Sequence, residues 1–205
     1  MSSVPSRLLT EQEFLSRERK SDFRSEYYRG ELFAMAGGSR EHNLIAANIS
    51  RSLGNQLAER PCELYQSDMK VRVSATGLCT YPDVVVGCGD LQWADDEKDV
   101  LLNPIVLAEV LSESTAAYDC GPKAANYRLL DSLQEYLLVD QNLAFVEHYV
   151  RVNEETWSIT HHDGLKAAIE LRSVRCRLSL ADVYAKVQFS DDARPMLRPI
   201  RGYSR

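Results

Sequence analysis

Apolar residues at Leu44, Ile45, Ile49, Leu53 and Leu57 recur at three- and four-residue steps, the pattern of one helical face. Ser39 stands before them as a cap, and this helix is expected to be the longest in the chain. An earlier helix opens at Thr10, where Glu13 three residues on completes a capping-box pattern. Between the two, EYYRGELFAMAG reads as two short strands about an Arg29-Gly30 hairpin turn.

Period-two and continuous apolar runs take over afterwards. CELYQSDMKVRVS and YPDVVVG read as strands separated by the turn SATGLC, and DLQWADDEKDVLLN reads as an acidic surface loop. PIVLAEVLS is apolar nearly throughout, the mark of a central strand covered on both faces. PKAANYRLLDSL predicts a helix with Pro122 in its first turn. EYLLVD, AFVEHYVRV, TWSITHHDG and AAIELR predict further strands, and SLADVYAKV a short helix. The order implies an α/β or α+β fold, a mixed sheet with helices over its central strands. One domain is expected over residues 1–190, and the arginine-rich 191–205 is expected to be a poorly packed tail.

Composition changes this picture only in detail. The 205 residues suffice for one domain with a core, and 44% hydrophobic with 26% charged is ordinary for a globular chain. No apolar run has the length of a membrane span, and the first residues lack the layout of a secretory signal, so a cytoplasmic protein is expected. The net charge of −6 argues against binding nucleic acid through overall charge. A local basic face would have to use Arg17, Arg19, Arg24, Arg29, Arg40 and Arg51, and scattered solvated charges are the favoured alternative. Five cysteines, an odd number with no C-x-x-C pair, argue against a disulfide framework or a zinc knuckle; most are expected to be small core residues.

The chemistry lies in two carboxylates on strands that otherwise read as buried. Asp83 stands at the mouth of the valine run, and Glu109 lies inside PIVLAEVLSES. A carboxylate buried alone is costly, and a cation reverses that cost. Two neighbouring strands could bring both acids to one point as hard oxygen ligands suited to Mg²⁺ or Mn²⁺. The bland alternative makes Asp83 a turn cap and Glu109 the partner of a buried arginine. Lys123, on the helix after the second strand, could reach back to polarise a water or steady a phosphate. Glu31 at the hairpin turn and His42 at the start of the long helix could approach the acids. In HHDG the adjacent His161 and His162 point to opposite faces of a strand and cannot readily share an ion. A G-x-S-x-G elbow and a phosphate-cradling glycine loop are both absent.

In this order and at these separations, EYYRGELFAMAGGSREHN, YPDVVV, LAEVLSEST, DCGPKAANY and EYLLVD resemble the Uma-two family, over about Leu9 to Val187. That family is placed in the PD-(D/E)XK nuclease-like superfamily. The resemblance implies a restriction-endonuclease-like mixed sheet flanked by helices. It implies metal-dependent hydrolysis of phosphodiester bonds, with nucleic acid, in the first place DNA, as substrate. Asp83 would be the Asp of the PD element and Glu109 the acid of the (D/E)XK element. The backbone carbonyl of Val110 would add a further metal ligand. The lysine expected two residues after Glu109 is Leu111, and Lys123 is the matching substitute. Glu31 matches the early family acid and His42 the family histidine. A homodimer is expected, as for nucleases that cut both strands. The displaced lysine leaves a second reading, a binding or regulatory module that keeps the nuclease fold without turnover.

Overall fold

The computed structural model describes residues 8–35, 37–190 and 192–197. The chain runs through α1 (Glu11–Glu18), β1 (Ser25–Tyr28), β2 (Glu31–Ala34), α2 (Arg40–Leu57), β3 (Cys62–Gln66), β4 (Lys70–Val73), β5 (Leu78–Thr80) and β6 (Val84–Cys88). It continues through β7 (Val100–Leu101), β8 (Val106–Leu111), α3 (Ala116–Tyr118), a π-helical turn (Asp119–Lys123) and α4 (Ala124–Tyr127). It ends in β9 (Glu135–Asp140), β10 (Phe145–Arg151), β11 (Trp157–Asp163), β12 (Ala168–Leu171), β13 (Cys176–Ser179) and α5 (Leu180–Val183).

A six-stranded sheet, β11-β10-β9-β8-β6-β3, forms the centre. Its β8 and β9 pair in parallel and its other neighbours antiparallel, so this is the mixed α+β architecture expected. Side-chain alternation divides it into two faces. Val84, Val86, Val106, Ala108 and Val110 pack against Ile45, Ile49, Leu53 and Leu57 of α2 and against the β12–β13 hairpin. Val85, Leu107 and Leu111 face the other way, toward Tyr127, Leu130 and Leu133 and toward Val71, Val73 and Leu78 of a second sheet. That second sheet has the order β2-β1-β5-β4-β7. Glu109 shares the parity of Leu107 and Leu111, so its carboxylate points into the junction between the sheets.

The N-terminal elements form as their sequences dictate. Thr10 and Glu13 make the reciprocal capping box of α1, and the Ser39 hydroxyl accepts the His42 amide at the start of α2. Arg29 and Gly30 both adopt positive φ, 50° and 93°, the geometry of a tight hairpin turn.

Five local expectations are corrected. Pro122 lies inside a π-helical turn and not in a first helical turn, because helix begins earlier, at Ala116. Proline supplies no N–H to the ladder, and the widened turn absorbs that loss. The acidic surface loop contains β7, and its Asp95 and Asp99 hold Arg19 at 2.8 and 2.6 Å. The turn SATGLC is only partly a turn, since Leu78 and Cys79 begin β5. Cys62 and Cys88 form a disulfide, because they face each other in the β3–β6 register; Cys79 and Cys176 are buried and free. The first part of the expected tail is tied down. The amides of Met196 and Leu197 donate to Asp140 Oδ2, and Leu197 is buried; residues 198–205 lie outside the described residues.

Removing packing from α2 measures how far the sheet depends on it. Leu53→Ala should lower unfolding stability in urea by about 2–5 kcal/mol. A second stability prediction concerns Glu135 on β9. It accepts the amide and hydroxyl of Ser173 at 2.8 and 2.6 Å and sits 2.6 Å from His148 Nε2. Burial would raise its pKa, but the His148 and Ser173 bonds outweigh that and hold it below its ordinary value. A carboxylate lowered on folding stabilises fully above its unfolded value and loses that contribution as the pH falls through the folded one. The stability advantage of wild type over Glu135→Gln, measured by denaturation, should therefore shrink below about pH 4.5.

Candidate active site

The strand ladder itself sets Asp83 in place. Pairing of β6 with β8 ends at Val84 opposite Ala108. One residue earlier, Asp83 Oδ2 accepts the Val110 amide at 2.8 Å, so a side chain continues the ladder where backbone stops. In an extended strand the amide and carbonyl of one residue point to the same side, so the Val110 carbonyl faces that edge too. His42 Nε2 lies 3.1 Å from the same Asp83 oxygen. The loop entering α2 passes directly over this ring. A Cβ on Gly38 would lie 2.6 Å from His42 Nδ1, so a larger residue there would displace the ring. Among the described residues that Nδ1 is buried without a hydrogen-bond partner.

Across the junction, Lys123 is buried at 4% exposure among three carboxylates. Its Nζ lies 2.9 Å from Glu109 Oε1, 3.0 Å from Glu26 Oε1 and 3.4 Å from Asp119 Oδ1. Tyr127 donates its hydroxyl to the same Glu109 oxygen at 2.8 Å. Thr80 donates to Glu26, and the Tyr118 side chain bonds it as well. The site thus draws on β1 and β5 of one sheet, on β8 and the entry to β6 of the other, on α2, and on the π-helical turn.

Electrostatically the site gathers more acids than bases. Glu26, Glu109 and Asp119 surround one ammonium, and Asp83 stands near enough to repel Glu109. Burial pushes the Glu109 carboxyl well above its ordinary value; Lys123 opposes this, and repulsion from Asp119 and Asp83 adds to it. Burial also raises Asp119, against the pull of Lys123. For Lys123 burial works against the charge, yet Glu109, Glu26 and Asp119 outweigh it and keep the ammonium charged. Burial lowers His42, but the hydrogen bond and charge of Asp83 carry it upward overall.

Of the residues singled out from sequence, Asp83, Glu109, Lys123, His42 and the Val110 backbone meet here. Glu31 does not. It is exposed in β2 opposite Tyr28, outward from the pair Glu26–Phe33, and no ion pair or side-chain hydrogen bond among the described residues joins it to the cluster. The acid brought in from the hairpin is Glu26. Its signal was faint, a lone carboxylate in the aromatic strand SEYY. Asp119 was more legible, since it precedes Lys123 by one four-residue helical step. The partner of Glu109 is a lysine and not the buried arginine of the bland alternative. Three arginines proposed for a basic face are neutralised, Arg19 by Asp95 and Asp99, Arg24 by Asp68 and Arg40 by Glu41. No group of three or more His, Cys, Asp or Glu among the described residues is disposed to hold a metal ion by itself. Asp83 and Glu109 could hold one only with ligands from water, backbone or substrate.

The model of the Uma2 family, described as "Putative restriction endonuclease", matches residues 11–181. The chain belongs to the Uma2 family. Similar chains in Synechocystis include the uncharacterized protein sll1609, 38% identical over 80% of this chain and 93% of its own length. Another is slr1290, 32% identical over 91% of this chain and 97% of its own. This Uma2 fold is also that of a crystal structure from Anabaena variabilis described as "a putative nuclease belonging to DUF820", with a TM-score of 0.70, 17% identity, and coverage of 86% of this chain and 97% of that one. No described helix is long and apolar enough to cross a membrane.

Charge compensation at the junction has a measurable size. Lys123→Met leaves Glu26, Glu109 and Asp119 without their cation and should cost about 3–5 kcal/mol of stability at neutral pH. The deficit should narrow on acidification, because protons then neutralise the carboxylates; parallel denaturation series at two pH values measure it.

Proposed function

We propose that this Uma2 protein is a metal-dependent endonuclease that hydrolyses phosphodiester bonds in DNA. The observation that carries the reading is the convergence of Asp83, Glu109 and Lys123 from three separate parts of the chain. Nuclease descriptions of the family and of a structural neighbour agree with it. The absence of a lysine two residues after Glu109 is one motive for the second reading, an inactive binding or regulatory module. With the Lys123 ammonium 2.9 Å from Glu109, that motive is weakened.

The donor set fits Mg²⁺ or Mn²⁺. Such ions take one or two protein carboxylates and complete their shell with water and phosphate oxygens. Asp83 and Glu109 would be those carboxylates, with the Val110 carbonyl beside them. Three acids around the single Lys123 ammonium suit a site that can take a further cation. When bound, the ion would activate water and stabilise charge developing on the phosphate. The protein's own groups do the rest. Tyr127 fixes one Glu109 oxygen, and His42 and the Val110 amide fix Asp83. Lys123 brings positive charge to the place where the attacking water and the scissile phosphate meet. Glu31 stands outside this set. Cutting both strands of a duplex calls for two such sites, hence a two-fold dimer acting in the cytoplasm.

Nicking of supercoiled plasmid tests the reading. Cleavage should require Mg²⁺ or Mn²⁺, stop with a chelator, and fall by at least ~100-fold in Asp83→Ala and in Glu109→Ala, the loss typical of a main transition-state contact. Absence of cleavage on DNA and RNA with either ion would overturn it, as would cleavage unchanged by Asp83→Ala.

A further inference from the structure

Glu26 has no part in the reading above, yet it is built into the site more firmly than Glu31. It is 7% exposed on β1 and accepts from Thr80 on the neighbouring β5. It stands 3.0 Å from Lys123 Nζ, almost as near as Glu109. Asp119 approaches the same ammonium from within the π-helical turn. Glu26 thus belongs to one sheet and Glu109 to the other, with Lys123 between them.

This arrangement meets a specific conflict. Lys123 and the Tyr127 hydroxyl both occupy Glu109 Oε1. An ammonium and a divalent cation cannot share one carboxylate without repelling each other, and in a buried site that repulsion is only weakly screened. Were Glu109 the sole anchor of Lys123, the lysine would compete with any cation for it. Two further carboxylates on the same ammonium, Glu26 and Asp119, remove the need for that competition.

We propose that Glu26 and Asp119 are positioning residues: they take the Lys123 ammonium so that Glu109 can ligate a divalent cation with the lysine still beside it. The inference rests on the metal-dependent reading of the site. It accounts for three acids around one lysine where a single ion pair would satisfy the charge, and for the hydroxyl of Thr80 behind Glu26.

Calorimetric titration with Mn²⁺ alone tests this, without reference to cleavage. Glu26→Gln should weaken Mn²⁺ binding about tenfold, because Lys123 then settles on Glu109. In a Lys123→Met background the same change should alter affinity less than about threefold. Thr80→Val, which loosens Glu26 without changing any charge, should weaken binding in the same direction as Glu26→Gln; it keeps the test valid if Lys123→Met does not fold. Equal losses in both backgrounds would overturn the proposal, since Glu26 would then act on the ion through its own charge. Wild-type affinity in both Glu26→Gln and Thr80→Val would overturn it too. A wild-type protein that binds no Mn²⁺ would instead overturn the metal-dependent reading itself, and this inference with it.

Discussion

An ammonium buried among carboxylates holds the junction of the two sheets together. Lys123 reaches Glu109 on the central sheet and Glu26 on the smaller one, and it belongs to neither sheet. Uncompensated, those carboxylates would have to take up protons or leave the interior. The lysine arrives from a third element, a helical segment that widens at Pro122 and delivers Asp119 and Lys123 together. The apolar packing around it follows. Leu107 and Leu111 flank Glu109 on the same strand face, while Tyr127 packs over them and donates its hydroxyl to Glu109.

The same charge arrangement connects stability to chemistry. A cluster built only for stability would balance its charges, and replacing buried ion pairs by apolar side chains is commonly neutral or better. Here burial and mutual repulsion leave Glu109 pushed upward even with a charged lysine at 2.9 Å. A buried cluster with more acids than bases beside a strand edge is what the proposed cation site would require. Asp83 supplies the second carboxylate by a purely local device, standing in for backbone where the β6–β8 ladder ends. His42 braces it from the first turn of α2.

Much of this was readable in the residues. Periodicity located α2 and its buried face, and the continuous apolar run marked β8 as central, so Glu109 stood out as an acid in the wrong company. Asp83 stood out for the same reason. What sequence could not supply was pairing between distant elements. Glu26 sits in a four-residue strand of the smaller sheet, and only the β1–β5 pairing and the stacking of the two sheets bring it to Lys123; Glu31, five residues on, is the more conspicuous acid because it follows the turn. The Cys62–Cys88 bond was hidden likewise, since it depends on the β3–β6 register and not on spacing. The π-helical turn escaped because proline early in a helical pattern reads as a start. Family likeness pointed to the same acids and to the displaced lysine, but not to the hairpin acid that meets it.

The most direct test of the central claim is anomalous diffraction from crystals soaked in Mn²⁺. The account predicts one peak at about 2.1 Å from carboxylate oxygens of both Asp83 and Glu109, with the Val110 carbonyl facing it and the Lys123 ammonium still against Glu26. A Mn²⁺ peak away from this pair, or no peak with the Lys123–Glu109 contact unchanged, would contradict it.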